Sequence, residues 1–258
     1  MSRVIERLFT KTAEAGALPR FEAEVAGLAA LRDSGLVRVP KVGASGTARG
    51  QAFLELEYLE LRPLDRAAGA VLGRQLAALH RSTAAQFGWP TDNFIGLGPQ
   101  ANGWMDGWPR FFAERRLRPQ LMLARGKGMD RLTLQDGEEL TEKVAAFFVA
   151  GHPAPSLLHG DLWGGNAGML PDSTPVVFDP ACHYGDREAD IAMSELFGGF
   201  PDSFQAAYRE AWPLSEGYET RKTLYNLYHV LNHYNLFGAG YLGQAKRMIA
   251  KLLAELKG

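Results

Sequence analysis

The chain has 258 residues, 46% hydrophobic and 22% charged, with a net charge of −1. That length supports one large domain or two modest lobes with a real core, and the near-neutral balance gives no global field toward nucleic acid or an anionic membrane. The lone cysteine, Cys182, excludes an internal disulfide and reads as a small packed residue. The charged start, Met1–Arg7, and the lack of a bilayer-length apolar run add to this, so the sequence predicts a cytoplasmic protein.

Arg7–Thr12 is β-prone and predicts a short strand. Pro19 can open a helix, Phe21, Val25, Leu28 and Leu31 recur at helical spacing, and Gly35 is a natural stop. Val37–Pro40 reads as a loop or edge strand and Ala52–Leu59 as a strand. Residues 1–60 therefore predict a small mixed lobe, and residues 61–258 a larger, mainly helical one. In the second part, Leu64–Arg81, Trp108–Arg125 and Leu134–Ala150 predict helices, with a Gly-, Pro- and Asn-rich loop over Gly88–Trp104. Leu157-Leu158-His159 and Val176-Val177-Phe178 predict short strands flanking a glycine-rich loop. Ala189–Phe197, Phe204–Ala211 and Thr220–Leu256 are expected to be mostly helical. The fold class is α+β, with no internal repeat. Arg110, Arg115, Arg116 and Arg118 read as a solvated helix face rather than a nucleic-acid surface.

The chemistry concentrates in His159-Gly160-Asp161-Leu162-Trp163-Gly164-Gly165-Asn166 and Phe178-Asp179. A hydroxyl that accepts a phosphoryl group needs a carboxylate to orient it and take its proton, and Asp161 suits that role. Magnesium takes hard oxygen donors, so Asn166 and Asp179 fit as its ligands, with ATP phosphates completing the shell. Glycines 160, 164 and 165 allow a tight turn. His159 can act as a base or hold the loop by bonding to backbone, and the structural role is preferred. Trp163 can stack on a sugar or wedge the loop.

His159–Asn166, Phe178-Asp179-Pro180-Ala181 and Tyr184-Gly185 resemble the fructosamine-3-kinase and ketosamine-3-kinase family, relatives of aminoglycoside phosphotransferases and choline kinases. Asp92-Asn93-Phe94-Ile95-Gly96, Asn102-Gly103-Trp104, Phe197-Gly198-Gly199-Phe200 and Leu231-Asn232-His233 carry the resemblance across nearly the whole chain. It implies a bilobal protein-kinase-like fold and an ATP- and Mg2+-dependent kinase that phosphorylates a sugar hydroxyl of ketosamines and so repairs glycated amines. The alternatives are an aminoglycoside- or choline-type kinase and a non-catalytic pseudokinase.

The resemblance further implies that Lys11 grips the α- and β-phosphates and pairs with Glu24, Glu22 being the rival. It implies that Glu57-Tyr58-Leu59 is the hinge that meets adenine, and that Asp190 braces the catalytic loop. A cationic amine on the substrate calls for a nearby carboxylate, for which Asp186 and Glu188 are the candidates. The sequence departs from the family pattern at Asp186-Arg187, where histidine more often follows Tyr-Gly. It departs again before Lys11, where ten residues without a glycine cannot supply the usual phosphate-covering hairpin. The small lobe is therefore expected to be incomplete, through a late start or as a pseudokinase.

Overall fold

The computed structural model describes residues 7–149 and 151–257. The reading of Met1–Glu6 lies outside these residues, as does the predicted helix end at Ala150. The described chain opens with β1 (Leu8–Glu14), α1 (Leu18–Asp33), β2 (Val42–Ala48) and β3 (Gln51–Glu57). The three strands form an antiparallel sheet in the order β1-β3-β2. Along β3, Ala52, Leu54 and Leu56 are buried in strict alternation, the period-two signature of a strand with one face on a core. Lys11 lies opposite Leu54, so it shares the inward face and turns toward α1.

β2 carries two glycines, Gly43 and Gly46, and the sequence reading passed over it. Its pairing comes from β3 and from the turn between them, where Arg49 and Gly50 both take positive φ (52° and 78°). That geometry suits a tight hairpin, and tertiary pairing overrides the weak strand propensity of β2.

The remaining elements are α2 (Arg66–Leu79), β4 (Asn93–Ile95), β5 (Gly98–Gln100), α3 (Trp108–Phe112), α4 (Arg118–Gly126) and α5 (Arg131–Glu142). They are followed by β6 (Ser156–Leu158), β7 (Ala167–Met169), β8 (Pro175–Val177), β9 (His183–Gly185), α6 (Glu188–Leu196), α7 (Asp202–Ala211), α8 (Tyr218–Phe237) and α9 (Leu242–Glu255). Asp65 caps α2 by accepting the Ala68 amide at 2.8 Å, and Asp130 caps α5 in the same way at Thr133.

The predicted loop over Gly88–Trp104 contains the β4–β5 hairpin. The long helix expected from Trp108 is continuous but passes through a π turn at Ala113–Leu117. Pro119 follows that turn and has no N–H to return to the carbonyl of Arg115, which accepts instead from the Arg116 guanidinium at 2.9 Å. The two strands expected around the glycine-rich loop do not pair with each other: β6 pairs with β9 and β7 with β8. The basic cluster is also corrected at one position. Arg116 is 1% exposed and donates to Asn102 Oδ1 at 3.0 Å, whereas Arg110 stays on the surface with Glu114.

One apolar cluster runs from Leu54 and Leu56 of the sheet through Leu72 and Leu76 of α2 to Phe204 and Tyr208 of α7. A second is built from α3, α5, α8 and α9 around Phe111, Leu140, Leu231 and Leu252. The first core holds β1 and α1 firmly against the segment 159–182, and a cleft of about 570 Å³ opens between them.

Candidate active site

Lys11 reaches across from β1 to two carboxylates. Its Nζ lies 2.7 Å from Glu24 Oε1 on α1 and 2.5 Å from Asp179 Oδ1 just past β8. Burial opposes the ammonium charge, but Glu24 and Asp179 outweigh it and hold the Lys11 pKa above its usual value. Burial is the largest influence on Glu24 and pushes its carboxyl up, against the pull of Lys11. Glu24, not Glu22, is therefore the partner the helix presents.

Asp161 and Asn166 line the same cleft as Lys11 and Asp179. Burial raises the Asp161 carboxyl to about 7, with the negative charges of Asp179 and Asp190 adding to the effect and the Asn166 hydrogen bond opposing it. Asn166 donates from Nδ2 to the Asp161 carbonyl at 2.9 Å and to its Oδ2 at 3.0 Å. With Nδ2 so engaged, Oδ1 is left for a cation, and Asn166 Oδ1 with the Asp179 carboxylate makes a hard-oxygen donor set that fits magnesium.

The loop carrying Asp161 is held from beneath. Asp190 on α6 accepts the amides of His159 (2.7 Å) and Gly160 (2.8 Å). Burial alone would raise the Asp190 carboxyl, but hydrogen bonds from His80 and the loop amides hold it below the usual range. His80 lies 3.2 Å from Asp190 Oδ2 through Nε2 and 2.8 Å from the Tyr208 hydroxyl through Nδ1. Burial keeps His80 neutral, so its one proton sits on Nε2 toward the carboxylate and Nδ1 accepts from Tyr208. Sequence reasoning missed His80, because its local pattern is that of any polar residue at a helix end.

His159 commits both ring nitrogens to backbone. Nε2 donates to the Phe178 carbonyl at 3.0 Å and Nδ1 accepts the Asp161 amide at 3.3 Å. Burial depresses its pKa, so the ring is a neutral tie rather than an exposed base. At Gly160 (φ +82°) a Cβ would come within 2.1 Å of the Ala181 carbonyl, so only glycine fits. Trp163 is 39% exposed on the cleft, set edge-on to Phe197.

The family model described as fructosamine kinase matches residues 1–255. The chain belongs to the fructosamine kinase family. It is accordingly a phosphotransferase that acts on a hydroxyl group, with a protein-kinase-like fold. A probable ketoamine kinase of Vibrio cholerae is 46% identical over 252 residues, spanning 97% of this chain and 86% of the relative. The chloroplastic protein-ribulosamine 3-kinase of Arabidopsis thaliana is 41% identical, over 96% of this chain and 77% of the relative. Among solved structures, a fructosamine-3-kinase candidate from Haemophilus somnus superposes with a TM-score of 0.89 at 33% identity, covering 96% of this chain and 84% of that one. A choline/ethanolamine kinase family protein from Mesorhizobium loti, at 14% identity and a TM-score of 0.62 over 97% of this chain and 82% of that one, shares the fold.

Against the resemblance to this family, two expectations need correction. Asp186 and Glu188 do not enter the cleft with Asp161. Both are buried, at 5% and 2% exposure. Asp186 accepts the Tyr225 hydroxyl at 2.5 Å, and Glu188 is bridged by Arg221 at 2.8 Å. Their charges are paired inside the fold, and both residues line a separate pocket with Arg221 and Trp212 rather than the cleft of Asp161.

The expected hinge is also partly consumed. The Glu57 amide donates to the Lys41 carbonyl at 2.8 Å and the Tyr58 amide to the Arg7 carbonyl at 2.9 Å. The Glu57 carboxylate is paired with Arg38 at 2.5 Å. Of the three residues, Leu59 is the one whose amide shows no backbone partner among the described residues.

Proposed function

We propose that this chain is an ATP- and Mg2+-dependent ketosamine kinase. It transfers a phosphoryl group to a sugar hydroxyl of fructosamine or ribulosamine adducts, a step in the repair of glycated amines. The observation that carries the reading is the convergence of Lys11 from the start of the chain with Asp161, Asn166 and Asp179 from far along it on one cleft. The names of the Vibrio cholerae and Arabidopsis thaliana relatives support the acceptor class.

In this mechanism Lys11, oriented by Glu24, binds the nucleotide phosphates as a charge-assisted donor. Asn166 and Asp179 would hold magnesium, which when bound would supply positive charge against the phosphates. Asp161 accepts a hydrogen bond from the acceptor hydroxyl, fixes its approach and takes its proton as attack proceeds. A base with a pKa of about 7 matches that task, since a large share of it is ionised at neutral pH and it is still basic enough to take a proton. Asp190, His80 and His159 keep the loop rigid so that Asp161 stays aimed. The Leu59 amide contacts adenine, and Trp163 stacks on the sugar. The protein works in the cytoplasm, and no described helix is long and apolar enough to cross a membrane.

The test is phosphate incorporation into synthetic ribulosyl-lysine and fructosyl-lysine with MgATP, beside kanamycin and choline. Turnover of a ketosamine at a kcat/KM well above the other two is expected. Equal or greater turnover of kanamycin or choline, or none on either ketosamine, overturns the assignment.

A further inference from the structure

Behind the cleft lies a buried polar network that the mechanism leaves unused. Asn93 on β4 donates to the Cys182 carbonyl at 2.8 Å. Gln100 on β5 donates from Nε2 to Asn93 Oδ1 at 2.8 Å and to the Ala181 carbonyl at 3.1 Å. Asn102 donates to the same Asn93 oxygen at 2.8 Å, and the Tyr228 hydroxyl donates to Gln100 Oε1 at 2.8 Å. Arg116 closes the far end on Asn102. All five side chains are buried. Burying this many amides in a small hairpin is costly unless every bond is made.

Several bonds leave the network: Asn102 and Arg116 reach the Thr91 and Ala101 carbonyls, and the two from Asn93 and Gln100 end just past Asp179. The chain at Asp179 is strained: its φ is +53°, one of three positive values at non-glycine residues among those described. Such a conformation costs on the order of 1–3 kcal/mol and persists only where the surroundings fix it. The fixing groups are visible. Ala181 is clamped from both sides, its amide on the His159 carbonyl at 2.8 Å and its carbonyl on Gln100. Cys182 is held by Asn93. The Asp179 side chain is less enclosed: it reaches 44% exposed into the cleft, where it pairs with Lys11.

We infer that Asn93 and Gln100 are positioning residues for Asp179, holding the following backbone so that the strained aspartate presents its carboxylate to the cation. The inference rests on the reading of Asp179 as a magnesium ligand. It gives a role to Asn93 in the Asp92–Gly96 segment, which the sequence singled out and the reaction itself did not use.

The test is Mn2+ binding to the full chain with a non-hydrolysable ATP analogue, followed by electron paramagnetic resonance. Asn93→Asp keeps size and the acceptor oxygen but loses the donor to Cys182. Gln100→Met keeps length and loses both donors, and it serves as the second probe if the first folds poorly. Each is expected to weaken Mn2+ binding per folded molecule by about tenfold or more, the scale set by outer-shell partners of metal ligands. Affinity for the metal-free nucleotide should stay within about twofold. A fall in melting temperature with Mn2+ affinity unchanged in both variants would mean a merely structural network and overturns the inference. Asp179→Asn separates the two levels. If it also leaves Mn2+ binding intact, the reading of Asp179 as a ligand falls and the inference with it. If it abolishes binding while the two network variants bind like the wild type, only the inference falls.

Discussion

Two acidic clusters flank the loop at 159–166, and they differ in what their neighbours leave free. In the cleft, Asp179 pairs with Lys11 while the Asp161 carboxylate accepts only from Asn166 among the described residues, and Asp161 is pushed up to about 7 by burial without a counter-charge of its own. On the other side, Glu188 is locked to Arg221 and Asp186 to Tyr225. Both clusters are written in the same residue types. A carboxylate with its partners already inside the fold stabilises structure, whereas one held in place with spare valence is available for chemistry.

The largest effect that would sharpen this contrast is expected at Asp161. Asp161→Asn should lower kcat by roughly 10²- to 10⁴-fold, read in single-turnover phosphoryl transfer. It should also raise the melting temperature at pH 8. The folded pKa of Asp161 lies above the unfolded value, so its ionised form weakens the fold as pH rises toward and through about 7, and the amide removes that burden. A variant that loses activity and also loses stability at pH 8 would break the comparison.

Glu188→Ala should do the reverse. It strands the buried Arg221 and is expected to cost about 3–5 kcal/mol. That corresponds to a fall of roughly 6–20 °C in melting temperature for a chain of this size. KM for the acceptor, measured on the folded fraction, should not move. A selective rise in acceptor KM would return Glu188 to the site.

Lys11→Met removes the cation shared by Glu24 and Asp179. Charge-assisted bonds of this kind carry about 1.5–3 kcal/mol, so nucleotide affinity by calorimetry should drop roughly 10- to 100-fold. An unchanged affinity would mean that Lys11 serves only the Glu24–Asp179 contact.

The smallest effect is a shape rather than a loss. The acid limb of kcat/KM, taken at low MgATP, should bend near pH 7, with the active carboxylate form above it. A limb near 4, the range of an ordinary carboxylate, would show that Asp161 feels far less burial than its surroundings imply.

Much of the cleft was legible in the sequence because its parts lie in short, local patterns. His159 to Asn166 is a single loop, Asp179 ends an apolar strand, and Glu24 sits on a helix whose start and stop are marked by Pro19 and Gly35. The strands β2, β7 and β9 were not legible, since they are short or glycine-containing and gain their form from pairing alone. The hairpin at Asn93–Gln100 was hidden in the same way: its amides read as loop composition until they are seen to meet Ala181 and Cys182, some eighty residues on.

The sequence by itself determined which groups could transfer a phosphoryl and the family to which they belong, since those depend on residue type and near spacing. Only the tertiary structure decided which carboxylates remain free to act. Glu188 found Arg221 from α8, Lys11 found Asp179 from 168 residues away, and His80 found Asp190 beneath the loop. Whether a charge is satisfied depends on what packs against it, and such long-range partners leave no mark in local sequence.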